Sequence, residues 1–219
     1  MKTIKISTLE FLENLSQNNH KEWFQANKSK WDQAKENFIE FIGSVLHEIT
    51  AKENIIFDEP KKYIGRINRD IRFSNDKSPY NDYITSMIFR DPHKNTTPFY
   101  IRIQNGNSLM GCGIKSPDSG LLKKIRQYID LNGEELNQIL EDSAIKATFG
   151  DLEGDVLKRP PQGFDADHPH LIFLLKKEFL LTTSIPNETL ISNELHKNIL
   201  SGYQTALPFM KFMDRAIGV

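Results

Sequence analysis

Residues 66–82 read RINRDIRFSNDKSPYND and place four cations and three acids in seventeen positions. Across residues 61–77, Lys61, Lys62, Arg66, Arg69, Arg72 and Lys77 stand against Asp70 and Asp76. The local balance is +4 in a chain whose net charge is -1. Neighbouring guanidinium groups suit a carboxylate or a phosphate, because the planar fork donates paired, charge-assisted hydrogen bonds. Arg66, Arg69, Arg72 and Lys77 are therefore the candidate ligand-binding cations, with Tyr80 beside them. Asp70 and Asp76 are the candidate catalytic groups. Each would orient an arginine or act as a general base, in chemistry of hydrolytic or transfer type.

Ile67, Ile71, Phe73 and Tyr80 lie in the same stretch and favour burial. As a strand, it would put Arg66, Asp70 and Arg72 on one face and Arg69 on the other with Ile67, Ile71 and Phe73. As a helix, it would cluster Arg66, Arg69, Asp70 and Phe73. In either form a half-buried arginine needs a counter-charge. If the protein's own acids supply it, the segment is a structural salt-bridge network in a non-catalytic binding or interaction module. If a ligand supplies it, the segment lines a pocket for a phosphorylated or carboxylated small molecule. Nucleic acid is disfavoured as a partner because the chain carries no global positive charge. Lys77-Ser78 lacks the glycines that let a backbone cradle phosphate, which excludes a nucleotide P-loop. No motif names a cofactor.

Other residues could do chemistry. LKRPPQGF, residues 157–164, carries Lys158 and Arg159 on a proline-braced loop, and Lys158 joins the candidate ligand-binding cations. DADHPH, residues 165–170, groups Asp165, Asp167, His168 and His170 at a spacing that suits a divalent metal. Helix capping by Asp167 or His168 ahead of Pro169 accounts for the same pattern and is preferred, so no metal site is assigned. Cys112, the one cysteine, sits in MGCGI and reads as a small strand residue; Gly111 and Gly113 beside it allow close approach of a ligand or another backbone.

The elements that must position these residues follow from periodicity. Ser7 or Thr8 can cap a short first helix. Trp23, Trp31, Ala34, Phe38, Phe41, Ile42, Val45 and Ile49 make one buried stripe on a long helix running from about residue 20 into the early fifties. YITSMIFR, PFYIRIQN and SLMGCGIK read as strands, and Asn105-Gly106 predicts a hairpin between the last two. Alternation sets Phe99, Ile101 and Ile103 inward. Asp118 or Ser116 caps a helix whose buried face carries Leu121, Leu122, Ile125 and Ile129, and a second helix covers residues 133–140. Residues 149–170 form a long irregular loop, a length that is often functional. Residues 186–215 read as helical, interrupted at Pro208. The expected fold is α+β, a central antiparallel sheet flanked by N- and C-terminal helices in a single domain, residues 1–219.

Four stretches then occur in a characteristic order: FLENLSQNNHKEWFQANKSKWDQ, RINRDIRFSNDKSPY, MGCGIKSPDSGLLKKIRQYI and LKRPPQGFDADHP. In this the chain resembles the bacterial family called Domain of Unknown Function 2461, from about residue 8 to 215. The resemblance covers Asn19, Trp23 and Phe24, then Arg66, Arg69, Asp70, Arg72, Phe73, Asp76, Lys77, Pro79 and Tyr80. Gly113, Pro117 and Arg126 follow, then Lys158, Pro160, Gly163 and Phe164. Asn81 stands where the family motif usually has a lysine. The resemblance implies a single-domain α+β protein and carries over no activity.

Apolar and charged fractions of 38% and 26% are ordinary for a globular protein. The N-terminal stretch lacks the apolar run of a signal peptide, and no segment reaches the length of a membrane span. A lone cysteine allows no internal disulfide, which fits a cytoplasmic setting.

Overall fold

The structure is a computed structural model and describes residues 2–53, 55–72, 74–91, 93 and 95–219. Phe73, placed in the charged segment by sequence, lies outside the described residues. In chain order the elements are α1 (Ile6–Gln17), α2 (Lys21–Ala26), α3 (Lys28–Glu53), β1 (Ile84–Ile88), β2 (Phe99–Ile103) and β3 (Ser108–Ile114). They continue with α4 (Ser119–Leu140), α5 (Ser143–Phe149), α6 (Leu171–Leu174), β4 (Phe179–Ile185), α7 (Asn187–Leu190) and α8 (Glu194–Ile217). The strands form one antiparallel sheet in the order β1-β2-β3-β4, and the fold class is α+β as expected.

The chain divides into two compact units. The first comprises residues 1–88, 100–110 and 184–201, and the second residues 89–99, 111–183 and 202–219. Several of these boundaries fall inside strands rather than linkers, which is why no shift in composition marks them.

In the first unit, Phe11, Leu12 and Leu15 of α1 and Trp31, Ala34, Phe38, Phe41, Ile42, Val45 and Ile49 of α3 are buried, the helical stripe read from sequence except for Trp23, which falls on α2 and is partly exposed. The expected continuous helix is broken at Asn27. Its backbone (φ -109°, ψ 17°) leaves helical geometry, and its Nδ2 donates to the Trp23 carbonyl at 3.0 Å, so the side chain competes for helix acceptors. His20 caps α2, its Nδ1 accepting the Trp23 amide at 3.4 Å. Neither Ser7 nor Thr8 caps α1. Asn37 of α3 instead pins the entry to the helix across the packed pair, accepting from the Lys5 amide at 2.8 Å and the Thr8 hydroxyl at 2.9 Å.

In β2, Phe99, Ile101 and Ile103 are buried and Tyr100 and Arg102 are partly exposed, and the Asn105-Gly106 turn leads into β3. Gly106 has φ +70°, the backbone conformation for which glycine suits a tight turn.

In the second unit, Asp118 caps α4 by accepting the Leu121 amide at 2.8 Å. Asn132 (φ -128°, ψ 17°) kinks α4 just before residue 133, where sequence places a second helix. A Cβ at Gly133 would stand 2.3 Å from the His170 ring, so the helix is pared to its backbone there to admit that imidazole. His170, not Asp167 or His168, precedes α6, and it makes no side-chain cap. The His168 Nδ1 accepts the His170 amide at 3.1 Å instead, so the expected capping helix is shorter and begins later.

Gly111 and Gly113 admit a second backbone: a Cβ would lie 2.3 Å from the Leu181 carbonyl oxygen and 1.9 Å from that of Phe179 respectively, both in β4. Cys112 between them is buried, and burial pushes its thiol far above the usual range, so it is inert as a nucleophile at neutral pH. Pro208 lies inside α8 without ending it. Among the described residues, no helix is long and apolar enough to cross a membrane.

Candidate functional site

Among its described residues, the charged segment is neither strand nor helix. Its two ends pair as a short antiparallel ladder: Asn68 bridges Tyr80, the Arg69 amide donates to the Pro79 carbonyl at 2.9 Å, and the Asn81 amide donates to the Ile67 carbonyl at 2.7 Å. The described residues between Arg69 and Pro79 form the excursion that this ladder closes. Prolyl geometry explains the turn back, since Pro79 favours an extended residue before it and offers no amide of its own.

The ladder is anchored on the first helices. Asn19 makes a two-way clasp on Tyr80, its Nδ2 donating to the Tyr80 carbonyl at 2.8 Å and its Oδ1 accepting the Tyr80 amide at 3.1 Å. The Tyr80 ring stacks on Phe24 at 4.0 Å between centroids, with the planes 18° apart. Asn19, Phe24 and Tyr80 belong to two motifs far apart in sequence, and their first task is to hold this loop on its support.

Beside the clasp lies a groove of 330 Å³ lined by Arg69, Asp76, Ser78, Tyr80, Asp82 and Tyr83, with Ser16, Asn19 and Asn81 completing it. Of the sequence-derived candidates, Arg69, Asp76 and Tyr80 come together here. Arg66, Asp70, Arg72 and Lys77 do not line it, and Lys158 belongs to the second unit, where it is exposed. Arg69 is half-buried, its side chain 27% exposed, and its Nη1 donates to Asp76 Oδ2. Asp76 Oδ1 accepts from the Ser78 amide at 2.9 Å and from the Ser78 hydroxyl at 2.7 Å. Outside the groove, Arg72 grips Asp70 with both arms of its fork, at 2.9 and 2.6 Å. Lys77 Nζ donates to the Ile71 carbonyl at 3.0 Å, and Arg66 makes no ion pair among the described residues.

These contacts set the proton affinity of the two carboxylates. The Ser78 hydroxyl, the Arg69 guanidinium and the Ser78 amide hold the Asp76 carboxyl well below the usual carboxylate range. The Arg72 guanidinium lowers Asp70 in the same sense. A carboxylate held ionised in this way has little proton affinity at neutral pH, the property of a charge partner rather than of a general base.

The linkage has a definite sign. A folded-state value below the unfolded value of about 3.9 adds stability at neutral pH that is lost as pH falls below that value. Asp76 is therefore expected to stay ionised at a pH where exposed acids are already half protonated, as carboxyl ¹³C shifts followed in an acid titration would show. Titration near the ordinary Asp value would mean that the Ser78 and Arg69 contacts do not hold in solution.

Asp82 and Tyr83 are groove residues that sequence reasoning missed. Asp82 Oδ2 accepts from Gln104 Nε2 at 3.0 Å, and Arg102 lies over the Tyr83 ring at 5.8 Å. Asp82 ends the charged stretch, and the one available signal was Tyr83, the polar-edged aromatic that begins the alternating YITSM run. With two carboxylates, Asp76 and Asp82, set against the one cation Arg69, the lining carries a formal charge of -1 and is not the cationic pocket expected from sequence. Among the described residues, no group of three or more His, Cys, Asp and Glu is arranged to hold a metal ion.

The sequence matches the family model described as conserved hypothetical protein (DUF2461) over residues 7–212. The chain belongs to the Domain of Unknown Function 2461 family. No curated protein and no solved structure matches it. The match spans both units, so the Asn19–Tyr80 clasp and the Arg69–Asp76 pair lie within the DUF2461 region.

Proposed function

We propose that this protein binds a small carboxylated or phosphorylated molecule in the groove beside Arg69. The observation that carries this reading is the incomplete use of the Arg69 fork. A guanidinium has five N–H donors, and among the described residues the Arg69 fork hydrogen-bonds only Asp76, through Nη1. Asp76 is itself satisfied by Ser78 and serves to orient the guanidinium. A half-buried cation with donors to spare binds an anion more strongly than a fully solvated one, because the local dielectric is lower.

Asp82, Asn81 and Tyr83 supply further hydrogen-bonding groups, which suits an acid that also carries hydroxyl or amino groups. Arg66 and Lys77 lie outside the lining and act at longer range, raising the local positive potential that draws an anion in. No proton transfer is assigned to Asp70 or Asp76, since each is committed to an arginine. A small-metabolite ligand also fits the reducing cytoplasmic setting expected from a single cysteine.

The Arg69–Asp76 and Arg72–Asp70 pairs favour a second reading, a structural ion-pair network in a module without a ligand here. A thermal-shift screen against phosphorylated metabolites, nucleotides and hydroxy acids separates the two. Ligand binding stabilises by about 2.7 kcal/mol at a ligand concentration 100 times Kd. A hit is expected to vanish in Arg69→Ala, to weaken in Arg69→Lys, which keeps the charge without the fork, and to survive in Arg72→Ala. A folded Arg69→Ala protein that keeps the hit would overturn the assignment. An inert panel, together with a lower melting temperature for Arg69→Ala, would favour the network.

A further inference from the structure

A second groove, of 550 Å³, is formed within the second unit, where the loop at 161–164 meets one face of α4. Lys123, Arg126, Gln127 and Asp130 line it from the helix at spacings of one turn or less, and Pro161 and Phe164 line it from the loop. Arg126 is partly buried. Its Nε donates to the Leu174 carbonyl at 2.8 Å and its Nη2 to the Lys176 carbonyl at 3.1 Å, and among the described residues it has no carboxylate partner. Burial lowers its proton affinity with no counter-charge to offset the effect. Lys123, one turn earlier, makes no ion pair among the described residues.

Asp130 is the single acid in the lining, and it is already engaged. The His168 Nδ1 accepts the His170 amide, so in the neutral ring the proton sits on Nε2 and donates to Asp130 Oδ1 at 2.9 Å. The lining thus keeps a net positive charge from two cations and one committed carboxylate. The apolar wall is held open by its own packing: the Phe164 ring meets His168 edge-on at 5.7 Å, and Gly163 turns the chain at φ +93°.

We propose that this groove is a binding site for a small aromatic carboxylate, its anionic group on Arg126 and Lys123 and its ring against Phe164 and Pro161. Carbonyl contacts fix the Arg126 fork but leave its charge uncompensated, and a carboxylate supplies what the protein does not. The apolar wall favours a flat organic acid over inorganic phosphate, which could not use it.

The test is an amide NMR titration of the full chain with benzoate, and with benzamide as its uncharged analogue. Benzoate is expected to shift amides in 119–130 and 161–168 saturably, and benzamide is not. Lys123→Gln is expected to weaken benzoate binding about two- to fivefold, and Phe164→Ala on the order of tenfold. Arg126→Gln is expected to weaken it more than about tenfold. Because Arg126 also braces residues 174 and 176, the Lys123 and Phe164 variants decide the matter should that protein not fold. Arg69→Ala is expected to leave benzoate binding unchanged, which keeps this site separate from the one proposed above. Equal shifts from benzoate and benzamide, no saturable shift within 119–130 and 161–168, or unaltered affinity in folded Lys123→Gln and Phe164→Ala would each overturn the proposal.

Discussion

Asp214→Ala is expected to cost about 3–5 kcal/mol of stability, the range for breaking a buried ion pair from one side. Asp214 pairs with Arg90, and their side chains are only 12% and 8% exposed. Its other oxygen accepts the Thr97 amide at 2.6 Å. Removing the carboxylate leaves a buried guanidinium without its counter-ion and a buried amide without its acceptor. Arg90 has little left to fall back on, since its Nε already lacks a partner among the described residues. Such a loss is a large part of the roughly 5–15 kcal/mol that holds a domain together. Urea unfolding should show a lower midpoint with an unchanged slope. Replacing both partners with apolar residues, as in Arg90→Met with Asp214→Leu, is expected to recover much of the loss, because no charge is then stranded. An Asp214→Ala midpoint equal to that of the natural protein would show that the pair is not buried in solution.

The other large effect is expected at Gly113, where alanine should destabilise by more than about 3 kcal/mol or prevent folding. Two costs combine. The backbone sits at φ +127°, a conformation other residues hold only at about 1–3 kcal/mol. The added Cβ also meets the Phe179 carbonyl oxygen at 1.9 Å and the Leu180 Cα at 3.0 Å. Those atoms are the backbone of β4, and β4 cannot back away without unpacking Phe179 and Leu181, both wholly buried. Gly106→Ala is the matched control. It has φ +70° and nothing within 4 Å of the new methyl, so it carries only the conformational cost, about 1–2 kcal/mol. Circular dichroism and thermal melting of the two variants would separate strain from collision. Equal losses would mean that β3 and β4 can part enough to admit a methyl group.

The sheet and the helical stripe were legible because both are written locally. Phe99, Ile101 and Ile103 alternate as one strand face must, and Asn105-Gly106 carries its turn chemistry in two adjacent residues. The break at Asn27 was not legible, since asparagine inside a helix and asparagine ending one look alike until its side chain is seen on the Trp23 carbonyl. The contact that fixes the start of α1 was not legible for a related reason: Asn37, which makes it, is remote in sequence.

The candidate site divides along the same line. Sequence by itself determined that charge is concentrated between Arg66 and Asp82, that an arginine among isoleucines needs a partner, and which family the chain resembles. Composition, spacing and order carry that information without reference to any other segment. Only the tertiary structure decided which cation borders a groove and which carboxylate that cation meets. Arg69 lines the groove because Asn19 and Phe24, from the first helices, clasp Tyr80 and so fix the ladder that carries it. Asp76 is held between Ser78 and Arg69, which lowers its proton affinity. Likewise Gly111 and Gly113 were equally open to a ligand or a backbone until β4 was seen lying against them. A hydrogen bond or a close approach depends on where two remote segments meet, and that is a property of the packed chain rather than of either segment alone.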